Sequence, residues 1–110
     1  MNLNEYQKRV LDTWISNTKD SDRIKYGLIG ELGEIFEHLK KHARGDYGQG
    51  ITSDEILKAN LKKEIGDLSY YISQFCNDYK INWENILEEN LKKLKDRQER
   101  NKIKGSGDSR

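Results

Sequence analysis

No proline occurs anywhere in the 110 residues of the chain. Proline removes a backbone donor and breaks a helix interior, so a chain without it can form helices of many turns. Leu, Ile, Lys and Glu are abundant, and all four are compatible with helix. Only 34% of the residues are apolar and 35% are charged, which leaves a thin core for one small domain. We expect an all-α domain over residues 1–101 with a polar tail at 102–110, and further burial between subunits.

The net charge is +1, from 20 basic and 19 acidic residues. Proteins that bind nucleic acid or membrane surfaces normally carry a clear basic excess, so neither partner is expected, although a basic fourth helix and tail keep nucleic-acid binding as an alternative. No segment approaches the roughly 20 apolar residues of a membrane span, and the first residues do not resemble a signal peptide. Cys76 has no second cysteine to pair with. These features predict a cytoplasmic protein.

Apolar residues recur at helical spacing in four segments of the chain. The predicted helices cover residues 4–17, 21–42 and 52–78, and a fourth follows Asn82. Thr52 and Glu55 fit a capping box at the start of the third helix, and Asn82 is a candidate N-cap of the fourth. The glycine-rich stretch 43–50 is predicted to be a loop.

A pair of acidic residues on the second helix is repeated on the third. Glu31-Leu-Gly-Glu34-Ile matches Glu64-Ile-Gly-Asp67-Leu, and residues three apart on a helix face the same way. At about 100° per residue, both pairs lie on the same shoulder of their apolar stripe, so antiparallel packing would bring four carboxylates together. Like charges this close either raise their pKa values or recruit a cation. Oxygen ligands of this kind suit Mg²⁺ or Mn²⁺. One such pair is more often solvated surface, but its repetition favours a site.

Glycines interrupt both helices close to these acids. Each costs up to about 1 kcal/mol in a helix interior. Gly27, Gly30, Gly33 and Gly66 therefore indicate either close helix approach or a ligand near the backbone.

The pattern Glu31-x-x-Glu34 followed by Glu64-x-x-Asp67 resembles the metal-binding signature of the all-α nucleoside triphosphate pyrophosphohydrolases. It is most similar to the short MazG-like members. Further segments that resemble these proteins are 3–7, 27–34, 64–71, 90–97 and 105–110. Two features depart from the family pattern, namely the long stretch 35–63 between the motifs and the Lys62-Lys63 pair, where relatives often carry acids.

The resemblance implies a four-helix bundle-like fold completed by assembly into a homodimer or homotetramer. It also implies Mg²⁺-dependent hydrolysis, with Mn²⁺ as an alternative cation, that releases a nucleoside monophosphate and pyrophosphate. Carried over residue by residue, Glu31, Glu34, Glu64 and Asp67 would hold the metal, and one of them could accept the proton of the attacking water.

Five further residues are candidate substrate contacts. Asn90 lies on the apolar face of the fourth helix, and a buried amide there needs partners. Lys93 and Arg97 could reach phosphates, with ordinary surface charge as the alternative. Tyr71 could stack on a base or pack in the core, and Gln7 could contact a base edge or be a satisfied core amide.

Other polar residues near these positions are expected to be solvated or loosely held. His38, one turn beyond Glu34, is expected to be a solvated or capping histidine. The tail residues Lys104, Asp108 and Arg110 could fold over a nucleotide, although disorder is the default for a terminus.

Two other functions are compatible with the same sequence. A non-catalytic helical interaction or regulatory module would carry the acids as surface charge and would show no turnover. A dUTP or phosphoribosyl-ATP pyrophosphohydrolase on the same scaffold would differ only in substrate.

Overall fold

The computed structural model describes residues 1–14 and 21–110, and within these ranges the chain is helical with no strand. The elements in chain order are α1 (Leu3–Arg9), a 3₁₀ segment (Val10–Thr13), α2 (Ser21–Ala43), α3 (Gly50–Asp78) and α4 (Trp83–Glu99). The all-α fold class is confirmed. No helix in the described part of the chain is long and apolar enough to cross a membrane.

Two predicted helix boundaries are wrong. The first α-helix ends at Arg9, where the chain tightens into the 3₁₀ segment. Trp14 is extended, and the rest of the predicted helix, residues 15–17, lies outside the described residues. α3 begins two residues before the predicted Thr52 cap, because Gln49 is the N-cap and makes no side-chain capping bond. The first amides of a helix need no side-chain cap where water can reach them.

The predicted cap of α4 is confirmed. The side-chain oxygen of Asn82 accepts a hydrogen bond of 2.8 Å from the backbone N–H of Asn85. This bond satisfies one of the free amides at the helix start.

α2 and α3 pack side by side as an antiparallel hairpin. Across it, residue numbers rise along α2 as those of their contacts fall along α3: Gly27 with Tyr71, His38 with Glu64, and His42 with Asp54. The connection is short because α2 ends in a tight turn at Gly45, whose φ is +86°. The backbone N–H of Asp46 donates to the carbonyl of Lys41 at 3.0 Å, as in a Schellman motif.

One of the four helix glycines provides close helix approach. A Cβ atom on Gly27 would lie 2.2 Å from Cε1 of Tyr71, so only glycine leaves room for this ring as placed. At Gly30, Gly33 and Gly66 no described atom comes within 4 Å of the added Cβ, beyond the local helix and chain neighbours. Within the described part of the single chain, close helix approach therefore does not explain those three glycines, and a ligand near the backbone stays a prediction.

The N-terminal segment is attached to the far end of the hairpin through Gln7. The side-chain amide of this buried residue donates to Oδ1 of Asn77 at 3.0 Å and to the carbonyl of Ile81 at 2.8 Å. Its oxygen accepts from the backbone N–H of Trp83 at 2.9 Å. A single side chain thus joins α1 to the end of α3 and the start of α4.

Within one chain the apolar stripes are only partly covered. The buried apolar residues among those described are Val10, Ile24 and Cys76. Apolar residues at helical spacing that remain exposed include Leu11, Leu32, Phe36, Leu39, Ile65, Ile86, Leu87, Leu91 and Leu94. The radius of gyration is 17.6 Å, against about 13 Å for a compact domain of this length. The predicted apolar faces are therefore not all buried in the single chain, which is extended and leaves several of them open.

Candidate metal centre

The hairpin brings acidic side chains from both helices together. Glu31 of α2 and Glu64 and Asp67 of α3 each offer a carboxylate oxygen, and these three oxygens lie within 4.8 Å of one another. The helices meet antiparallel, so the acid pair of one faces the acid pair of the other. Glu31 and Glu64 are half-buried and Asp67 is exposed.

A second group of ligand atoms shares Glu64 with the first. It comprises Glu34, His38 and Glu64, again with the candidate atoms within 4.8 Å of one another. The four acids singled out by the sequence therefore belong to one continuous cluster, in which Glu64 is the common member. We call Glu31, Glu34, Glu64 and Asp67 the acidic cluster.

The charges in the acidic cluster act on one another. The pKa of Glu31 is raised above its ordinary value, first by burial and then by the negative charge of Asp67, with a hydrogen bond to Glu64 and the charges of Glu64 and Glu34 adding to it. Asp67 also acts, after burial, to raise the pKa of the Tyr6 hydroxyl. A divalent cation relieves such repulsion and prefers carboxylate oxygens. The donor set present therefore fits Mg²⁺ or Mn²⁺.

His38 lies against the acidic cluster. Its Nε2 lies 3.1 Å from Oε1 of Glu64, and its Nδ1 lies 2.9 Å from the hydroxyl of Tyr47. The His38 side chain is only 16% exposed, so the expectation of a solvated or capping histidine is wrong. Its position one turn beyond Glu34, on the shoulder that carries the acids, was the available signal.

The proposed phosphate contacts on α4 meet a carboxylate of the tail. Nζ of Lys93 lies 2.7 Å from Oδ1 of Asp108. Nη2 of Arg97 donates to the carbonyl of Asp108 at 2.6 Å and to Oδ1 at 3.2 Å. Arg97 is 5% exposed, so ordinary surface charge does not describe it. These hydrogen bonds lower the pKa of Asp108, and the positive charges of both residues add to the effect.

The other predicted substrate contacts have different surroundings. Asn90 is exposed beside Lys93 rather than buried. The ring of Tyr71 packs on Gly27 and meets Tyr70 edge-on, with ring centres 5.4 Å apart. The amide of Gln7 is bonded within the chain as described above, so core packing and amide satisfaction explain Tyr71 and Gln7 without a ligand.

A cavity of about 570 Å³ lies between α1, α3 and the start of α4. Residues that line it include Leu3, Tyr6, Gly66, Ser69, Trp83 and Glu84. Its volume is within the range of small-molecule sites. The charge of Asp67 acts on Tyr6, which lines the cavity, so the cavity lies near this member of the acidic cluster.

Comparison with known proteins identifies the family of the chain. Residues 19–101 match the family described as MazG nucleotide pyrophosphohydrolase domain. The chain is similar to the Gene 37 protein of Mycobacterium phage L5, at 35% identity over 117 aligned positions that span 100% of both chains. No solved structure matches. The matched region contains the acidic cluster, His38 and α4, and the chain belongs to the MazG nucleotide pyrophosphohydrolase family.

Proposed function

We propose that this protein is a Mg²⁺-dependent nucleoside triphosphate pyrophosphohydrolase that converts (d)NTP to (d)NMP and pyrophosphate. The observation that carries the proposal is the convergence of four carboxylates from α2 and α3, with Glu64 common to both ligand groups, in a member of the MazG family. We place the activity in the cytoplasm, where nucleoside triphosphates are available.

The acidic cluster would hold the cation, with Mn²⁺ as the alternative to Mg²⁺. A divalent cation supplies charge neutralisation at the phosphates and lowers the pKa of the water that attacks phosphorus. The protein's own part is to hold carboxylates from two helices at fixed separation and to accept the proton of that water on one of them. The pKa of Glu31 is raised first by burial and then by the charge of Asp67, as expected where a carboxylate is held close to other acids.

Asn90, Lys93 and Arg97 are the proposed phosphate contacts. Lys93 and Arg97 already bind a carboxylate, that of Asp108, which supports their capacity to bind an anion. We place the base of the nucleotide in the cavity beside Gly66, because the aromatic residues Tyr6 and Trp83 line that cavity. Tyr71 and Gln7 stay second candidates for base contact.

We further propose that the chain assembles as a homodimer or homotetramer. Exposed apolar residues on α2 and α4 support this: Ile29 is 69% exposed, Phe36 61% and Leu91 67%. Apolar faces of this kind are typical of surfaces that a partner covers. Light scattering coupled to gel filtration measures the mass, and a monomer at micromolar concentration would contradict the proposal.

The test of the activity incubates the purified protein with each common NTP and dNTP, with dUTP and phosphoribosyl-ATP in the same panel. Reactions run with Mg²⁺, with Mn²⁺ and with EDTA, and anion-exchange chromatography separates the products. Glu34→Gln and Asp67→Asn remove members of the acidic cluster. Glu37→Gln is the matched control, because Glu37 lies on the same helix and instead pairs with Lys40 at 3.1 Å.

We expect monophosphate and pyrophosphate only with metal, loss of both in the two cluster variants, and retention in Glu37→Gln. Turnover confined to dUTP or to phosphoribosyl-ATP would replace the broad substrate class with that narrower one. No turnover on any nucleotide, with a melting temperature unaffected by metal, would contradict the hydrolase and favour the interaction module.

A further inference from the structure

Tyr47, His38 and Glu64 form a continuous chain of hydrogen bonds from the loop to the acidic cluster. The hydroxyl of Tyr47 lies 2.9 Å from Nδ1 of His38, and Nε2 of His38 lies 3.1 Å from Oε1 of Glu64. The histidine is enclosed, since both its side chain and that of Glu64 are 16% exposed. We call Tyr47 and His38 the bracket.

The two partners determine which ring nitrogen of His38 carries the proton. A carboxylate oxygen accepts hydrogen bonds, so the nitrogen that faces Glu64 must donate. A tyrosine hydroxyl can donate as well as accept, so it can donate a hydrogen bond to the lone pair on Nδ1 when that nitrogen carries no proton. The arrangement is therefore satisfied by the Nε2–H tautomer of the ring.

Glu64 is the carboxylate whose orientation matters to the whole cluster. It belongs to both groups of candidate ligand atoms, and its hydrogen bond to Glu31 contributes to the raised pKa of Glu31. A flexible glutamate in this position would lose its geometry by rotation about its side-chain bonds. The hydrogen bond from His38 holds one of its oxygens and so limits that rotation.

The loop that supplies Tyr47 is shaped for this contact. Gly45 and Gly48 flank Tyr47 closely in the chain and have φ values of +86° and +84°, which glycine adopts without strain. These turns bring residue 47 back against α2, nine residues after His38. The long segment between the two acidic motifs thus contributes a side chain to the surroundings of the cluster.

We propose that His38 and Tyr47 are positioning residues that orient Glu64 for binding of the divalent cation. Partners of this kind, which hold a ligand rather than touch the metal, typically change metal affinity by about 10–100-fold. The inference rests on the proposed function only in that Glu64 binds a cation. It is tested by cation binding and by the state of the ring, not by turnover.

The first experiment titrates Mn²⁺ into the full-length protein and measures the free ion by electron paramagnetic resonance. We expect His38→Ala to weaken binding by about 10-fold or more. Tyr47→Phe should weaken it by about fivefold, the effect of one neutral hydrogen bond. His38→Gln should restore most of the affinity, because its amide can still donate to Glu64.

His42→Ala is the matched control. It replaces the other histidine of α2, which lies one turn further on and contacts Asp54 at 2.9 Å, outside the acidic cluster. This variant should bind Mn²⁺ as the wild type does. Thermal unfolding in EDTA accompanies every variant, so that a general loss of stability is separated from a loss of affinity.

The second experiment records long-range ¹H–¹⁵N spectra of the histidine rings in the metal-free protein. We expect the Nε2–H tautomer for His38 in the wild type and also in Tyr47→Phe, because Glu64 accepts from Nε2 in both. The Nδ1–H tautomer in the wild type would overturn the proposal. So would loss of the Nε2 proton on addition of diamagnetic Mg²⁺, because His38 would then be a ligand itself.

The two proposals fail separately. Turnover in the wild type with unchanged Mn²⁺ affinity in His38→Ala and Tyr47→Phe would overturn the bracket and leave the hydrolase intact. The expected losses of affinity in a protein that hydrolyses no nucleotide would support the bracket and overturn the hydrolase. A wild-type protein that binds no Mn²⁺ would overturn both.

Discussion

Carboxylates have opposite surroundings in the α2–α3 hairpin and in the α4–tail region, which comprises α4 and residues 102–110. In the hairpin, Glu31 lies among other acids and its pKa is raised, by burial first and then by those charges. In the α4–tail region, Asp108 lies between Lys93 and Arg97 and its pKa is lowered. The negative charge of a carboxylate therefore faces other negative charges in the hairpin and two positive charges in the α4–tail region.

This difference supports the acidic cluster as the proposed ligand site. Asp108 has its counter-charges within the chain, so its ionised form supports the folded state. Glu31 is partly buried and has like charges as neighbours, so its ionised form opposes folding, and a bound cation would relieve this. Sites that bind ligands commonly keep unfavourable interactions of this kind at the expense of stability.

The largest expected effect comes from removing the common member of the acidic cluster. Glu64→Gln should reduce metal-dependent hydrolysis by about 100-fold or more, since even partners that only support a ligand change activity by 10–100-fold. Initial rates across a Mg²⁺ titration measure this, with Glu37→Gln as reference. Equal rates for the two variants would show that the hairpin acids are not the site.

The turn that joins the two regions offers a change in stability that leaves both charge clusters intact. Lys80 has a φ of +56°, a left-handed backbone conformation that is unfavourable for residues with a side chain. The backbone N–H of Ile81 donates to the carbonyl of Cys76 at 2.9 Å, which fixes this turn. Lys80→Gly should raise the free energy of unfolding by about 0.5–1 kcal/mol, as measured in urea, and a loss of stability would contradict the strain.

Glu31→Gln should stabilise the metal-free protein at neutral pH while weakening metal binding. The folded-state pKa of Glu31 is raised, so its favourable contribution is present below the ordinary pKa and is lost as pH rises through the folded pKa. The expected rise in melting temperature at pH 7 in EDTA is about 2 °C, small because the group is only partly buried. A variant less stable than wild type would contradict the repulsion.

Asp108→Asn should give the opposite sign and the smallest effect. The pKa of Asp108 is lowered, so its contribution is present above the ordinary pKa and is lost as pH falls through the folded pKa. The variant should melt below wild type at pH 7, and the difference should shrink in acid and in high salt. A difference that persists at low pH would assign the effect to the backbone of the tail instead.

The sequence was sufficient to predict the acidic cluster because its geometry follows from the helical repeat and from one antiparallel helix contact. Acids three apart share a helix face, and the antiparallel hairpin places one pair opposite the other. The contact of His38 with Glu64 was missed although helical spacing offered the signal for it, whereas the contact with Tyr47 could not be predicted, because Tyr47 comes from a loop. Contacts of a loop residue depend on turn geometry, here on left-handed glycines, which helical periodicity does not describe.

The extent of burial was also beyond the sequence. Amphipathic spacing shows which face of a helix is apolar, but the same spacing serves a face covered within the chain and one covered by another copy. Ile24 is buried by its own chain, whereas Leu91 on α4 is 67% exposed. The sequence also left two roles for Gln7, a base contact or a satisfied core amide, because its hydrogen-bond partners are distant in the chain.

The contact between Gly27 and Tyr71 has a consequence for natural variation in this protein and its relatives. Gly27 lies one turn before Glu31, and Tyr71 lies one turn beyond Asp67, so the pair sets how closely the two backbones approach beside the carboxylates. A larger residue at position 27 would require a smaller one at position 71 if that separation is to be kept. We expect these two positions to change together in evolution, as a spacer whose size is inherited jointly rather than residue by residue.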